Sequence, residues 1–203
     1  MALRLRLASK ILILLSLVIA AAAAVLTTRR VGVQLDGSIV IPTGQMLTPA
    51  GTHIEVSDRP LGMVVSPDGR LLAVATGSNF APRSLHLIDT AARSMFQTIP
   101  IGDSFVGVAF DRTGGSLYVG GGRDNDVKIL ERQADGTFRQ TRSIRIPGSA
   151  PSGLALSADG RTLYAALNLK HSVAAIDLAS GRFDEIEVGS YPYSVIASHR
   201  VYV

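Results

Sequence analysis

The chain has no cysteine and no tryptophan, and aromatic residues make up only 5% of its 203 residues. Without cysteine there can be no disulfide, no thiolate metal site and no cysteine nucleophile. Basic charge is also scarcer than the pI of 9.8 implies. Arg4, Arg6, Lys10, Arg29 and Arg30 lie within the first thirty residues. Removing these five from the 20 Lys and Arg leaves 15 against 16 Asp and Glu, a balance of −1. No basic stripe interleaved with aromatics is left, which excludes nucleic-acid binding. After residue 30 no stretch keeps a 3.6-residue apolar period, so helices are not expected there. Neither a G-x-S-x-G elbow nor an H-E-x-x-H motif is present.

One long apolar run is present, at the start. "MALRLRLASK" is a basic leader, and Ile11 to Leu26 is a 16-residue apolar stretch ending in alanines. Small residues around Ala20 to Ala24 suit signal peptidase. The run is short for a spanning helix of about 20 residues. Residues 1–28 therefore read as a signal peptide, or as a membrane anchor if uncleaved. Arg4, Arg6 and Lys10 ahead of the run place the remainder outside the cytoplasm, periplasmic or extracellular. If the segment stays uncleaved, it is the only contact with the membrane.

Glycine is plentiful, 20 residues in all, and it falls in a pattern. "LGMVVSPDGRLLAV" from Leu61 reads as a hairpin: two apolar strands around a Ser-Pro-Asp-Gly turn. Nearly the same text returns as "VGVAFDRTGGSLYVGG" from Val106 and "SGLALSADGRTLYAAL" from Ser152. Gly62, Gly107 and Gly153 anchor the copies, 45 and 46 residues apart. A fourth begins at "YPYSVIASHRVYV", with Ser194 in the anchor place. After each hairpin comes a third strand: Ser84–Asp89, Asp126–Glu131, Ser172–Asp177. A fourth strand precedes each anchor: Thr52–Val56, Phe96–Ile101, Thr141–Pro147, Phe183–Val188. The unit is four antiparallel strands with a period of 40–45 residues, the signature of a β-propeller blade. Such a sheet has two apolar faces and buries them only by stacking on copies of itself.

The expected fold is thus all-β: a propeller of four-stranded antiparallel blades, about three complete, with partial blades at each end. Residues 29–51 form an extended lead-in without helix, and 52–203 hold the blades. Three blades are too few for a closed ring, so the sequence reads as an incomplete ring truncated at its C-terminal side, with closure by oligomerisation as the alternative.

The hairpins with "LYV" (Leu117–Val119) and "LYA" (Leu163–Ala165), with Asn168 and "VAAID" (Val173–Asp177), resemble the YVTN-type, or YncE-like, β-propeller repeat family. The resemblance covers roughly residues 52–203, and the literal Tyr-Val-Thr-Asn tetrad is absent. "DGSIVIPTGQMLTPAG" (Asp36–Gly51) followed by "RPLGMVVSPDGR" is similar to the start of bacterial exported proteins that join such a propeller to an alkaline-phosphatase-superfamily phosphoesterase domain. That resemblance implies a catalytic domain beyond this sequence and assigns no catalytic residue within it.

No residue pattern in the chain itself announces catalysis. His53, His86, His171 and His199 fall at four different offsets from their anchors, which argues for scattered surface or edge histidines rather than a metal ring. No metal and no cofactor are expected. "GGGRDND" (Gly120–Asp126) follows a strand but opens no helix, so it reads as a flexible connection rather than a phosphate loop. Asp68, Asp89, Asp159 and Asp177 recur at turns and read as turn caps. The candidate ligand-binding residues are Arg59, Arg123, Asn125, Asn168 and Tyr193, all near strand-to-strand loops. The function expected is an exported binding or scaffold module that recognises a ligand or protein partner of unidentified kind through its loops. The alternative is a metal-dependent, lactonase-like propeller hydrolase whose site is incomplete here.

Overall fold

The computed structural model describes residues 15–16, 30–48, 50–77 and 82–203, so the expected leader at residues 1–28 lies outside the described residues save Leu15 and Ser16. The chain divides into two compact units, Met1–Thr52 and His53–Val203.

In the first unit the extended lead-in closes into a small antiparallel meander. Strands β1 (Gly32–Val33), β2 (Ile39–Val40) and β3 (Met46–Leu47) pair in chain order. The β1–β2 turn is held by Asp36, whose Oδ1 accepts from the Ser38 N–H at 3.0 Å and the Ser38 hydroxyl at 2.6 Å.

The second unit is a stack of blades. Blade 1 comprises β4 (Pro60–Val65), β5 (Leu71–Thr76), β6 (Ser84–Asp89) and β7 (Ser94–Pro100). Blade 2 comprises β8 (Val108–Phe110), β9 (Ser116–Gly120), β10 (Asp126–Arg132) and β11 (Phe138–Arg145). Blade 3 comprises β12 (Pro151–Leu156), β13 (Thr162–Leu167), β14 (Ser172–Asp177) and β15 (Phe183–Glu187). Each is a four-stranded sheet with its strands in chain order. A last hairpin, β16 (Ile196–Ala197) and β17 (Val201–Tyr202), follows.

The repeated turns share one piece of chemistry. Gly69, Gly114 and Gly160 have φ of 72°, 72° and 73°, the left-handed region open to glycine. Ahead of each glycine a hydroxyl meets a carboxylate. Ser66 Oγ donates to Asp68 at 2.6 Å, and Ser157 Oγ donates to Asp159 at 2.6 Å. In blade 2 the two partners are exchanged: Thr113 Oγ1 donates to Asp111 at 2.7 Å. The same bond survives a reversal of residue types, which is why that copy reads differently yet turns alike.

The anchor glycines have another purpose. A Cβ on Gly62 would lie 2.0 Å from the Val106 carbonyl oxygen, and one on Gly107 1.9 Å from that of Ser152. One on Gly153 would lie 2.6 Å from Ser194 Cα. The sequence repeats at these positions because each inner strand touches the next blade's backbone there. Beyond that contact the blades bury their faces. Leu85 and Leu87 pack with Leu117, Val119, Leu130 and Phe138 between blades 1 and 2. Val127 and Ile129 pack with Leu163, Ala174 and Ile176 between blades 2 and 3. Each such side chain contributes roughly 2 kcal/mol of burial. A staple joins the outer strands: the Gln97 amide donates to the Phe138 carbonyl at 2.9 Å and accepts its N–H at 2.8 Å.

The repeat also tells where blade 1 lacks a neighbour among the described residues. The residue after each anchor is buried in the later copies: Val108 and Leu154 are 9% exposed and Val195 is 5%. Met63, at the same place in blade 1, is 65% exposed.

Two expectations are corrected. Thr52–Val56 forms no strand. In blades 1–3 the fourth strand exists because a third strand pairs with it, and among the described residues residues 52–56 have no such neighbour. His86 is not a surface histidine. It is 4% exposed, on the β6 face turned away from blade 2. The Ser57 backbone N–H donates to His86 Nε2 at 3.2 Å, so Nδ1 carries the proton and donates to Thr98 Oγ1 at 3.2 Å. Burial pushes its pKa below the usual 6.5.

Candidate functional site

At one end of the second unit, the loops after each blade's second strand meet the linkers that precede each first strand. Two positions of the repeat converge there. Three residues before the anchors stand Arg59, Ser104 and Ala150; fifteen after them stand Gly77, Gly122 and Asn168. All six line a single concavity of about 330 Å³. The end of the propeller thus builds a recess from equivalent places in three blades, while the residue types differ from blade to blade.

Those differences set its chemistry. Arg59, Arg83 and Arg123 line the recess against a single carboxylate, Asp103. Asp103 is buried and committed. It pairs with Arg83 Nη1 at 2.7 Å and accepts the Arg123 backbone N–H at 2.7 Å. Its own N–H donates to Asp124 Oδ2 at 2.6 Å. Asp124 also accepts from Lys128 Nζ at 2.9 Å, and Lys128 reaches Asp126 at 2.7 Å. Burial opposes ionisation of Asp124, but the Lys128 ammonium and the Asp103 N–H outweigh it, so its carboxyl sits below the ordinary value. The Lys128 side chain is 4% exposed, on the blade 2 face that meets blade 1.

This network corrects the reading of Gly120–Asp126 as a flexible connection. Gly122–Asp124 is a 3₁₀ turn, closed by Asn125 at φ 57°. Glycines of this loop and of the linker before β8 make room for charge: a Cβ on Gly121 would lie 2.0 Å from Asp126 Oδ1, and one on Gly102 2.1 Å from Asp124 Oδ2. The loop is tied through Arg123 and Asp124 to Asp103, about twenty residues away.

The five candidate residues divide. Arg59, Arg123 and Asn168 line the recess. Asn125 does not; its Oδ1 accepts the Ala150 N–H at 3.1 Å and its Nδ2 donates to the Arg123 carbonyl at 2.8 Å, a structural role. Tyr193 does not line it either; its ring lies edge-on to the lining Phe105 with centroids 5.2 Å apart. Arg83, Asp103 and Phe105 were missed. The anchor-relative register reveals the recess once it is extended from the hairpins into the linkers. Among the described residues, no hydrogen bond or ion pair holds the guanidinium of Arg59 or Arg123. Among them, too, no three of His, Asp or Glu gather as metal ligands. The turn aspartates cap their own turns; Asp89 Oδ1, for instance, accepts the Ala91 and Ala92 N–H groups at 2.9 and 2.6 Å.

No family model matches the chain. No curated protein matches it either. Solved structures do, and they are propellers. The chain is similar to a functionally unknown protein from Desulfotomaculum acetoxidans, with 19% identity, TM-score 0.63, and 71% of this chain covered against 47% of that one. It is similar to the β-propeller domain of Cps50 from Myceliophteria thermophila: 14% identity, TM-score 0.56, 68% and 47% covered. It is also similar to the periplasmic gluconolactonase of Pseudomonas aeruginosa: 23% identity, TM-score 0.52, 75% and 48% covered. The chain has the β-propeller fold, and it spans less than half the length of these propellers. Among the described residues, no helix is long and apolar enough to cross a membrane.

Proposed function

We propose that this chain is an exported recognition module whose blades are scaffold and whose loop-end recess is the binding site. The observation that carries the reading is the recess itself, where equivalent positions of three blades meet beside Arg59 and Arg123, whose guanidiniums no hydrogen bond or ion pair holds among the described residues. Export is supported by the basic leader and the apolar run with its alanine end. A place in a larger protein, with further blades and a phosphoesterase domain of the kind the Asp36–Gly51 segment resembles, is supported by the bare blade 1 face at Met63. On this reading a further blade covers that face, and any hydrolysis belongs to the other domain.

The absence of cysteine makes a clean test. Leu169, exposed at the rim of the recess, is replaced by cysteine and spin-labelled; a second variant carries the label at Ser180, in the turn at the opposite end of blade 3. A library of small anions, cations and neutral compounds, lactones included, is then followed by NMR. Resonances broadened by the label at 169 and not at 180 are the expected result. Ligands that respond equally to both labels, or turnover of a lactone by this chain, would overturn the reading.

A further inference from the structure

We propose that the recess takes a small organic dianion, its oxyanion group held between Arg59 and Arg123 and its apolar body against Leu61 and Phe105. The proposal rests on the binding role just argued and names the ligand class of the same site. Charge is the first ground. Three arginines and one carboxylate line the concavity, an excess of two positive charges. Arg83 is answered by Asp103, so the excess resides on Arg59 and Arg123. Two like charges in one partly enclosed space repel each other unless an anion joins them. A ligand carrying two negative charges neutralises both. Each guanidinium offers a planar fork that fits an oxyanion bidentately.

Preorganisation is the second ground. The Arg123 backbone is fixed by the Asp103 carboxylate at 2.7 Å. Arg59, at φ 54°, is fixed through its carbonyl, which accepts the Gly77 N–H at 3.1 Å. Both backbones are therefore set before a ligand arrives, which removes the main-chain share of the ordering cost of binding. Size is the third. About 330 Å³ is room for roughly ten waters, far more than one oxyanion fills. Leu61, Phe105 and Leu169 supply apolar wall for the rest of the molecule. Phosphate monoesters and dicarboxylates both meet this description, and the experiment separates them.

Titration of the full chain by calorimetry at low salt compares phenyl phosphate, phenylsuccinate, benzoate and benzyl alcohol. Phenyl phosphate or phenylsuccinate binding about tenfold or more tightly than benzoate is expected, and whichever is the tighter fixes the headgroup. Arg59→Met and Arg123→Met should each weaken that ligand about tenfold, and raising salt should weaken it further. Lys170→Met, whose ammonium pairs with Glu185 outside the recess, should leave it unchanged. Equal binding of benzyl alcohol and the dianions, or full affinity in Arg123→Met, would overturn the proposal. If neutral compounds alone respond to the label at 169, the recess is a binding site but not for dianions. If nothing responds there, the binding role itself fails.

Discussion

Adding one methyl group at Gly107 is the sharpest test of how the blades are joined. The Cβ of an alanine would sit 1.9 Å from the Ser152 carbonyl oxygen and 2.7 Å from Leu154 Cγ. Leu154 can rotate; the backbone of the next inner strand cannot. Ordinary contact begins at 3.4 Å, so the two strands must part by about 1.5 Å. A gap of that size forfeits more than half of the dispersion well for each contact it opens, and the opening runs along the blade 2–blade 3 interface. Overpacking of a close-packed core costs about 1–3 kcal/mol, and an immovable backbone places this case near 3 kcal/mol. Backbone entropy acts the other way, since alanine has less freedom to lose than glycine, by roughly 0.4–1 kcal/mol. Gly189→Ala isolates that smaller effect, because a Cβ there meets nothing within 4 Å. Urea unfolding followed by far-UV circular dichroism measures both. Gly107→Ala should lose about 3 kcal/mol, or on the order of 6–12 °C in Tm, while Gly189→Ala should match the parent or gain slightly. A Gly107→Ala protein within about 0.5 kcal/mol of the parent would refute the claim that these glycines mark backbone contact between blades.

Three further outcomes follow from the polar groups. Lys128→Met strands Asp124 and Asp126 without their ammonium and should cost about 2 kcal/mol, less than a fully buried pair because Asp124 relaxes into solvent; an NMR titration should find the Asp124 carboxyl raised. For His86 the folded pKa lies below the unfolded 6.5, so as pH falls through 6.5 the unfolded chain takes up a proton that the native state resists. Native stability should therefore fall from pH 7 towards the folded pKa, and His86→Gln should lose that part of the slope in matched urea titrations. Asp68 and Asp159, held below 3.8 by the Ser66 and Ser157 hydroxyls and by the Arg70 and Arg161 N–H groups, lend stability above pH 3.8 that disappears as pH falls through their folded values. Asp159→Ala should thus be less stable than the parent at pH 6 and indistinguishable from it in strong acid.

The bonds that make a strand or a turn are local or lie one strand away, and they leave their mark on the chain. Ser84–Asp89 and Ser172–Asp177 were readable to the residue because each is a short alternating or apolar run closed by an aspartate that caps its own turn. The 45-residue period, the left-handed glycines and the antiparallel four-strand unit were readable for the same reason. Ile144 stands nine residues before its anchor, where Ile99 and Ile186 stand eight before theirs, and this slip also resolves locally. Ile99, Ile144 and Ile186 all face the second residue of the neighbouring strand, so the extra residue lies in the linker before Gly153 and not in the sheet.

Tertiary structure decided the rest, because it depends on what the stacking brings near. Thr52–Val56 has a strand's sequence but, among the described residues, no strand beside it. His86 and Lys128 occupy one repeat position, and only the neighbouring segment determines that the first accepts a hydrogen bond from Ser57 while the second gathers two carboxylates. Gly120–Asp126 looks loose along the chain and is locked by Asp103 across the blade junction. Arg59, Ser104 and Ala150 are 45 and 46 residues apart in sequence and share one recess. Sequence alone set the period that makes them equivalent. The convergence of the blades at one end turned that equivalence into a site.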